Sequence, residues 1–155
     1  MILGELTLAN FLVFYGEQAL SFPSDGDQNV TLILANNNTG KTSLIRALKF
    51  LFYGSGSLFR NSVSGRPSSL INERAVYETT QGSDVKGFVD LTFTLGDQTY
   101  RFRRSVTATA TRDGLDRGDE KLIEFVMGDH RYHEHPDDEK RTLEAKLRSW
   151  MPREL

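Results

Sequence analysis

The stretch from Thr31 to Leu48, Thr-Leu-Ile-Leu-Ala-Asn-Asn-Asn-Thr-Gly-Lys-Thr-Ser-Leu-Ile-Arg-Ala-Leu, constrains the fold of this chain more than any other. Val30, Leu32, Ile33 and Leu34 form an apolar run that predicts a buried central strand. A polar loop follows. Leu44, Leu48 and Leu51 then recur at helical spacing, and Gly54 is a stop signal. The loop fits the pattern G-x-x-x-x-G-K-[ST], with Ala35 in the first glycine position. That pattern curls successive backbone N–H groups round a phosphate and aims a helix N-terminus at the same anion. Gly40 permits close backbone approach. Asn38 tolerates a left-handed conformation and so replaces a glycine. The candidate nucleotide-binding residues are Ala35, Asn36, Asn37, Asn38, Thr39, Gly40, Lys41, Thr42 and Ser43. Lys41 is expected to stabilise the β- and γ-phosphate charge, and the Thr42 hydroxyl to hold Mg²⁺.

Composition narrows the class. The chain has 155 residues, enough for one domain with a sizeable core. A formal net charge of −2 gives no global nucleic-acid signature, although a local basic patch stays open. The chain has no cysteine, which excludes a disulfide scaffold and a thiolate metal site and suits a cytoplasmic protein. Met1 to Glu5 lacks the basic start and apolar core of a signal peptide, and no apolar run reaches membrane-spanning length.

Before the loop, Ile2 to Leu12 alternates imperfectly and predicts a strand. Phe14 to Gln18, with Gly16, predicts a turn, and Ala19 to Phe22 a returning strand. From Gly54 to Lys86 the chain is polar and rich in Gly and Ser, with a short helix expected over Ser69–Val76. The composition predicts a flap or a mobile connection there, centred on Asn61–Ser69. Val89, Leu91, Phe93 and Leu95 alternate with polar residues, Gly96-Asp97 turns, and Tyr100 and Phe102 alternate with Arg101 and Arg103. This predicts a hairpin with one apolar face. Thr111 to Glu120 reads as a charged loop, and Lys121 to Met127 as a strand that turns at Gly128-Asp129. Pro136 opens a helical pattern with Leu143, Leu147 and Trp150 on one face.

Consecutive antiparallel strands around such a loop exclude small GTPases and simple kinases, which continue with parallel βα units. The order of elements resembles the N-terminal lobe of ATP-binding-cassette heads of the SMC and SbcC type. Leu6-Thr7-Leu8-Ala9-Asn10-Phe11 is similar to that family's opening strand. Ala35 to Gly54 is similar to its P-loop and helix, and the hairpin ending Tyr100-Arg101-Phe102-Arg103-Arg104-Ser105 to its antiparallel arm sheet. Arg103-Arg104-Ser105 and the closing Trp150 to Leu155 are most similar to the DndD branch, the ATPases of bacterial DNA phosphorothioation.

The resemblance implies an α/β fold: a P-loop NTPase of the ABC-head type with an antiparallel β arm sheet, spanning 1–155. It implies binding of ATP with Mg²⁺, and roles for Asn37, Gly40, Lys41, Thr42 and Ser43. Ala35 and Asn38 depart from the family's glycines. It also implies partners: the C-terminal lobe of the same head, a second head closing over ATP, and DNA in the full assembly. A Q-loop glutamine, a coiled coil, a signature motif and a strand ending in Asp-Glu do not occur in the 155 residues, so the chain is expected to be a lobe of a longer ATPase. Hydrolysis would need that missing lobe, since Lys41 alone supplies no general base. Two rival readings stay open. One is an OLD-type or RecF-type ATPase. The other is a β-rich interaction module with a degenerate loop.

Three groups carry alternative readings. His130, His133 and His135 suggest a metal site, but strand geometry puts 133 and 135 on one face and 130 on the other, which favours a solvated turn. Arg101, Arg103 and Arg104 suggest DNA phosphate contacts, while alternation makes 101 and 103 the wet face of a hairpin. Phe11 and Phe59 suggest an adenine clamp, with core packing as the simpler alternative.

Overall fold

A computed structural model describes residues 1–23, 30–37, 39–59, 65–128 and 130–133, of which 123, 125 and 130–133 are described by backbone only. The first strand, β1, runs Ile2–Phe11 and buries Leu6 and Leu8 while Glu5 and Thr7 face outward. It pairs antiparallel with β2, Phe14–Ser21, through Phe11 opposite Phe14. Leu12 and Val13 therefore make the turn, two residues before the turn expected at Phe14–Gln18. Gly16, which prompted that expectation, lies inside β2 at φ +67°. There Asn10, itself at φ +46°, accepts a hydrogen bond from the Gly16 N–H at its Oδ1 (2.9 Å). A side-chain acceptor and a bulge thus complete the β1–β2 ladder where a simple hairpin register would fail.

The expected hairpin forms. β3, Asp84–Leu95, pairs with β4, Gln98–Thr111, in continuous register from Asp84–Thr109 to Leu95–Gln98, closed by Gly96-Asp97. β4 continues into a short β5, Gly114–Leu115, and then pairs with β6, Asp119–Met127, which pairs with β7, His130–His133. Among the described residues the strands form one seven-stranded sheet in the order β2-β1-β3-β4-β6-β7, with β5 on the end of β4. Among the described residues every strand pairing is antiparallel.

One helix covers one face of this sheet. α1, Lys41–Tyr53, presents Ala47, Phe50 and Leu51 as its buried stripe, with Leu44 and Leu48 half-buried beside them. Phe50 packs on Phe11 with ring centroids 5.2 Å apart. Phe52 meets Phe93 and Phe102 edge-on, at 6.3 and 5.6 Å. Phe11 is therefore core, not half of an adenine clamp, and Phe59 is packed against the same core.

The Gly54–Lys86 connection is built rather than structureless wherever it is described. Pro67–Leu70 forms a 3₁₀ turn, and α2 covers Glu73–Glu78, later than the expected Ser69–Val76. Leu70, Ile71 and Ala75 enter the core, which is what orders so polar a segment. Ile71 pairs with Phe11, extending the end of β1. Residues 60–64 of the expected mobile stretch lie outside the described residues. So do His135 and the helix expected after Pro136.

Val30, Leu32, Ile33 and Leu34 do not form the buried central strand that their apolar run predicts. They lie outside any strand and are 83%, 77%, 42% and 84% exposed. A strand needs neighbours for its backbone N–H and C=O groups. Among the described residues none pairs with this run, so its side chains face solvent.

The candidate phosphate loop

The helix begins where the motif places it. Gly40 stands at its N-cap with φ +107° and ψ 6°, a left-handed conformation that a β-carbon would strain. Space adds a second reason for glycine. A β-carbon at position 40 would stand 2.9 Å from Val13 Cγ2 and 3.1 Å from Phe14 Cζ. The β1–β2 turn therefore leans directly on the start of α1.

The first turn of α1 has no side-chain cap and no acidic residue. Its leading N–H groups, from Lys41, Thr42 and Ser43, have no intrahelical acceptor, and the helix dipole makes that end positive. The Lys41 ammonium curls back over the loop and donates to the carbonyls of Ala35 and Asn36, both at 2.6 Å. Thr39 Oγ1 donates to the Asn36 carbonyl at 2.7 Å. An ammonium has three N–H donors, and the two carbonyls engage two of them. The loop thus fixes a cation beside the uncapped N–H groups of α1. Residues 31–37, Thr39, Lys41 and Thr42 are exposed, and Ser43 is half-buried. Asn38 lies outside the described residues, so its suitability as a glycine substitute stays an expectation.

This donor set suits a polyphosphate bound with Mg²⁺. The uncapped N–H groups and the ammonium complement phosphate oxygens, and the exposed Thr42 hydroxyl offers the metal an oxygen. Mg²⁺ held there would supply charge neutralisation beyond that of Lys41.

The candidate arginines divide by face. Arg101 grips Asp90 with two nitrogens, its Nη2 donating at 2.6 Å and its Nε at 3.0 Å, and Asp90 keeps the guanidinium charged above its ordinary range. Arg103 lies 3.5 Å from the same carboxylate and stacks over the Phe88 ring at 4.0 Å. Glu124 adds a second acid 4.0 Å from Arg101. The outer face of the hairpin is therefore charge-balanced and ill suited to phosphate contacts. Arg104 points the other way, into the core. Its Nε donates to the Leu51 carbonyl (3.0 Å) and its Nη1 to Glu120 (2.8 Å), so it sits at the negative end of α1. Among the described residues, no group of His, Asp and Glu side chains could hold a metal ion.

Sequence reasoning missed Val13 and Phe14 at the start of α1, Asn72 bonded to the neighbouring Leu12, and Glu120 at the far end of the helix. One signal was present: Phe11 to Phe14 holds four apolar residues with no turn former, and Leu12 adopts φ +50° there. A bulky residue in that conformation costs about 1–3 kcal/mol and persists only where its surroundings impose it.

A loop of this chemistry, at the head of a helix laid on an antiparallel sheet, is compatible with a nucleotide-binding ATPase. The family model described as an AAA domain matches residues 5–148, and the chain belongs to that family. The match supports an ATPase head of the SMC type, with nucleotide binding in the general sense. No curated protein matches the chain. Among the described residues no helix is long and apolar enough to cross a membrane.

Proposed function

We propose that this chain grips ATP with Mg²⁺ as one lobe of an SMC-type ATPase head acting on DNA. The observation that carries the reading is the Lys41 ammonium held on the Ala35 and Asn36 carbonyls at the uncapped start of α1. In this reading the loop N–H groups from Ala35 to Ser43 cradle the phosphates. Lys41 offsets their charge, and the Thr42 hydroxyl holds Mg²⁺. The general base and the opposing signature motif come from the C-terminal lobe and a second head. The exposed run Val30–Leu34 supports the first of these partners, because an apolar segment flanking the loop is suited to receive strands from another lobe.

DNA contact in the assembly is not assigned to Arg101, Arg103 or Arg104, whose charges are engaged within the chain. The DndD branch rests on the sequence resemblance, since the buried Arg104 has a local structural role. Isothermal titration with ATP and Mg²⁺ tests the grip. Lys41→Ala is expected to weaken binding by about 1.5–3 kcal/mol, the usual worth of a hydrogen bond to a charged group. Equal affinity in both proteins overturns the reading.

A further inference from the structure

We infer that Asn72, far from the loop in sequence, is a positioning residue for it, acting through the β1–β2 turn; this rests on the phosphate-loop reading above. Asn72 is buried at the N-cap of α2. Its Oδ1 accepts from the Arg74 and Ala75 N–H groups, at 3.0 and 3.3 Å, as an N-cap side chain should. Its Nδ2 does something the helix does not need: it donates to the Leu12 carbonyl at 2.6 Å. The backbone N–H of Asn72 donates to the Asn10 carbonyl (2.9 Å), and the Leu12 N–H to the Leu70 carbonyl (2.7 Å).

Asn10 and Leu12 are the two non-glycine residues at positive φ among those described. Both are thus held by the Leu70–Asn72 segment. Leu12 leads directly into Val13 and Phe14, the residues that close on Gly40. The chain of contact runs from the Asn72 amide to the Leu12 carbonyl, on to the Val13–Phe14 wall, and ends at the glycine that starts α1. Each link is a hydrogen bond or a close approach, and together they fix the side from which the loop is supported. A loop that must hold several N–H groups on one anion loses affinity when its backing shifts.

Asn72→Ser separates the two roles. Serine caps α2 about as well as asparagine does, adds no charge, and has no amide N–H to reach Leu12. The full chain carrying Asn72→Ser is expected to melt within a few degrees of the parent while binding ATP with Mg²⁺ about tenfold more weakly, in the range by which indirect residues change coupling. Leu12→Gly, which adopts positive φ without support, is expected to restore affinity when added to Asn72→Ser. Phe14→Ala leaves Asn72 and its cap untouched and is expected to reproduce the loss. The outcome that overturns the inference is parental affinity in either Asn72→Ser or Phe14→Ala, or a folded double variant that stays weak. Lys41→Ala, measured beside them, separates the two failures. If it too binds normally, the phosphate-loop reading is wrong; if it alone is weak, only the role of Asn72 is.

Discussion

Thr42 and Lys41 sit on the same turn and carry different chemistry. Thr42→Val keeps the shape and removes one oxygen, so it is expected to reduce ATP affinity in Mg²⁺ and leave affinity in chelator nearly unchanged. Equal losses under both conditions would give Thr42 a packing role. Between β2 and α2, Tyr15 donates its hydroxyl to Glu78, and Arg74 both bonds Glu78 (2.9 Å) and lies over the Tyr15 ring (4.2 Å). The Tyr15 hydroxyl first, and Arg74 second, hold the Glu78 carboxyl below the usual carboxylate range. The same bond holds the Tyr15 phenol above its ordinary value of 10.0. The signs follow. The lowered Glu78 contributes stability at neutral pH that disappears as pH falls through its folded value. The raised Tyr15 contributes stability below the ordinary phenol value that disappears as pH rises through its own. Tyrosinate absorbance, read against a Tyr15→Phe control, should place the titration of Tyr15 above its ordinary value of 10.0, and Glu78→Gln should lower it.

At the scale of elements, helix and sheet are joined at both ends of α1 by different means. The N-terminal end rests on the Val13–Phe14 turn. The C-terminal end is clasped by Arg104 and Glu120. Arg104 bonds the Leu51 carbonyl, and Glu120 also accepts from the Ser55 N–H at 2.9 Å. Gly54, at φ +74°, leaves room for this carboxylate, since a β-carbon there would lie 2.6 Å from Glu120 Oε1. Arg104 is 4% and Glu120 17% exposed by side chain, so the pair is shielded. Removing one partner strands a partly buried charge. Arg104→Met is expected to cost about 3 kcal/mol in chemical denaturation. Adding Glu120→Gln should recover part of that, because the stranded charge goes too. If the double variant is no more stable than Arg104→Met, the two side chains are not coupled.

For the whole molecule, the contrast is between a well-filled core and a bare apolar run. Leu6, Phe11, Phe50, Leu51, Val89 and Leu91 are no more than 1% exposed, whereas Leu34 is 84% exposed. Leu34→Asp is therefore expected to change the stability of this chain by less than about 0.5 kcal/mol. In the proposed head the same substitution should weaken association with a separately produced C-terminal lobe, read by size-exclusion or titration. Strong destabilisation of the isolated chain would mean that the run already packs within it.

What the sequence determined by itself was whatever depends on local repeat. Alternation from Val89 to Phe102 specified the β3–β4 hairpin, since period two puts one face in the core. Helical spacing specified the buried side of α1, and Gly40-Lys41-Thr42 marked its start. The family match agrees with the ATPase class that this stretch implied. Tertiary structure decided what depends on partners distant in the chain. Arg104 meets Leu51 across 53 residues, and Asn72 meets Leu12 across 60. No local pattern encodes either contact. Alternation did place Arg104 opposite Arg101 and Arg103, but only the position of α1 made that inner face a helix terminus rather than a hydrophobic wall. The β1–β2 turn fell at Leu12-Val13 and not at Gly16, where the distant Leu70–Asn72 segment bonds both the N–H and the carbonyl of Leu12. The run Val30–Leu34 shows the same dependence from the other side. Its composition suits a central strand, yet a strand exists only where neighbouring backbones supply hydrogen bonds, and composition alone cannot supply the neighbour.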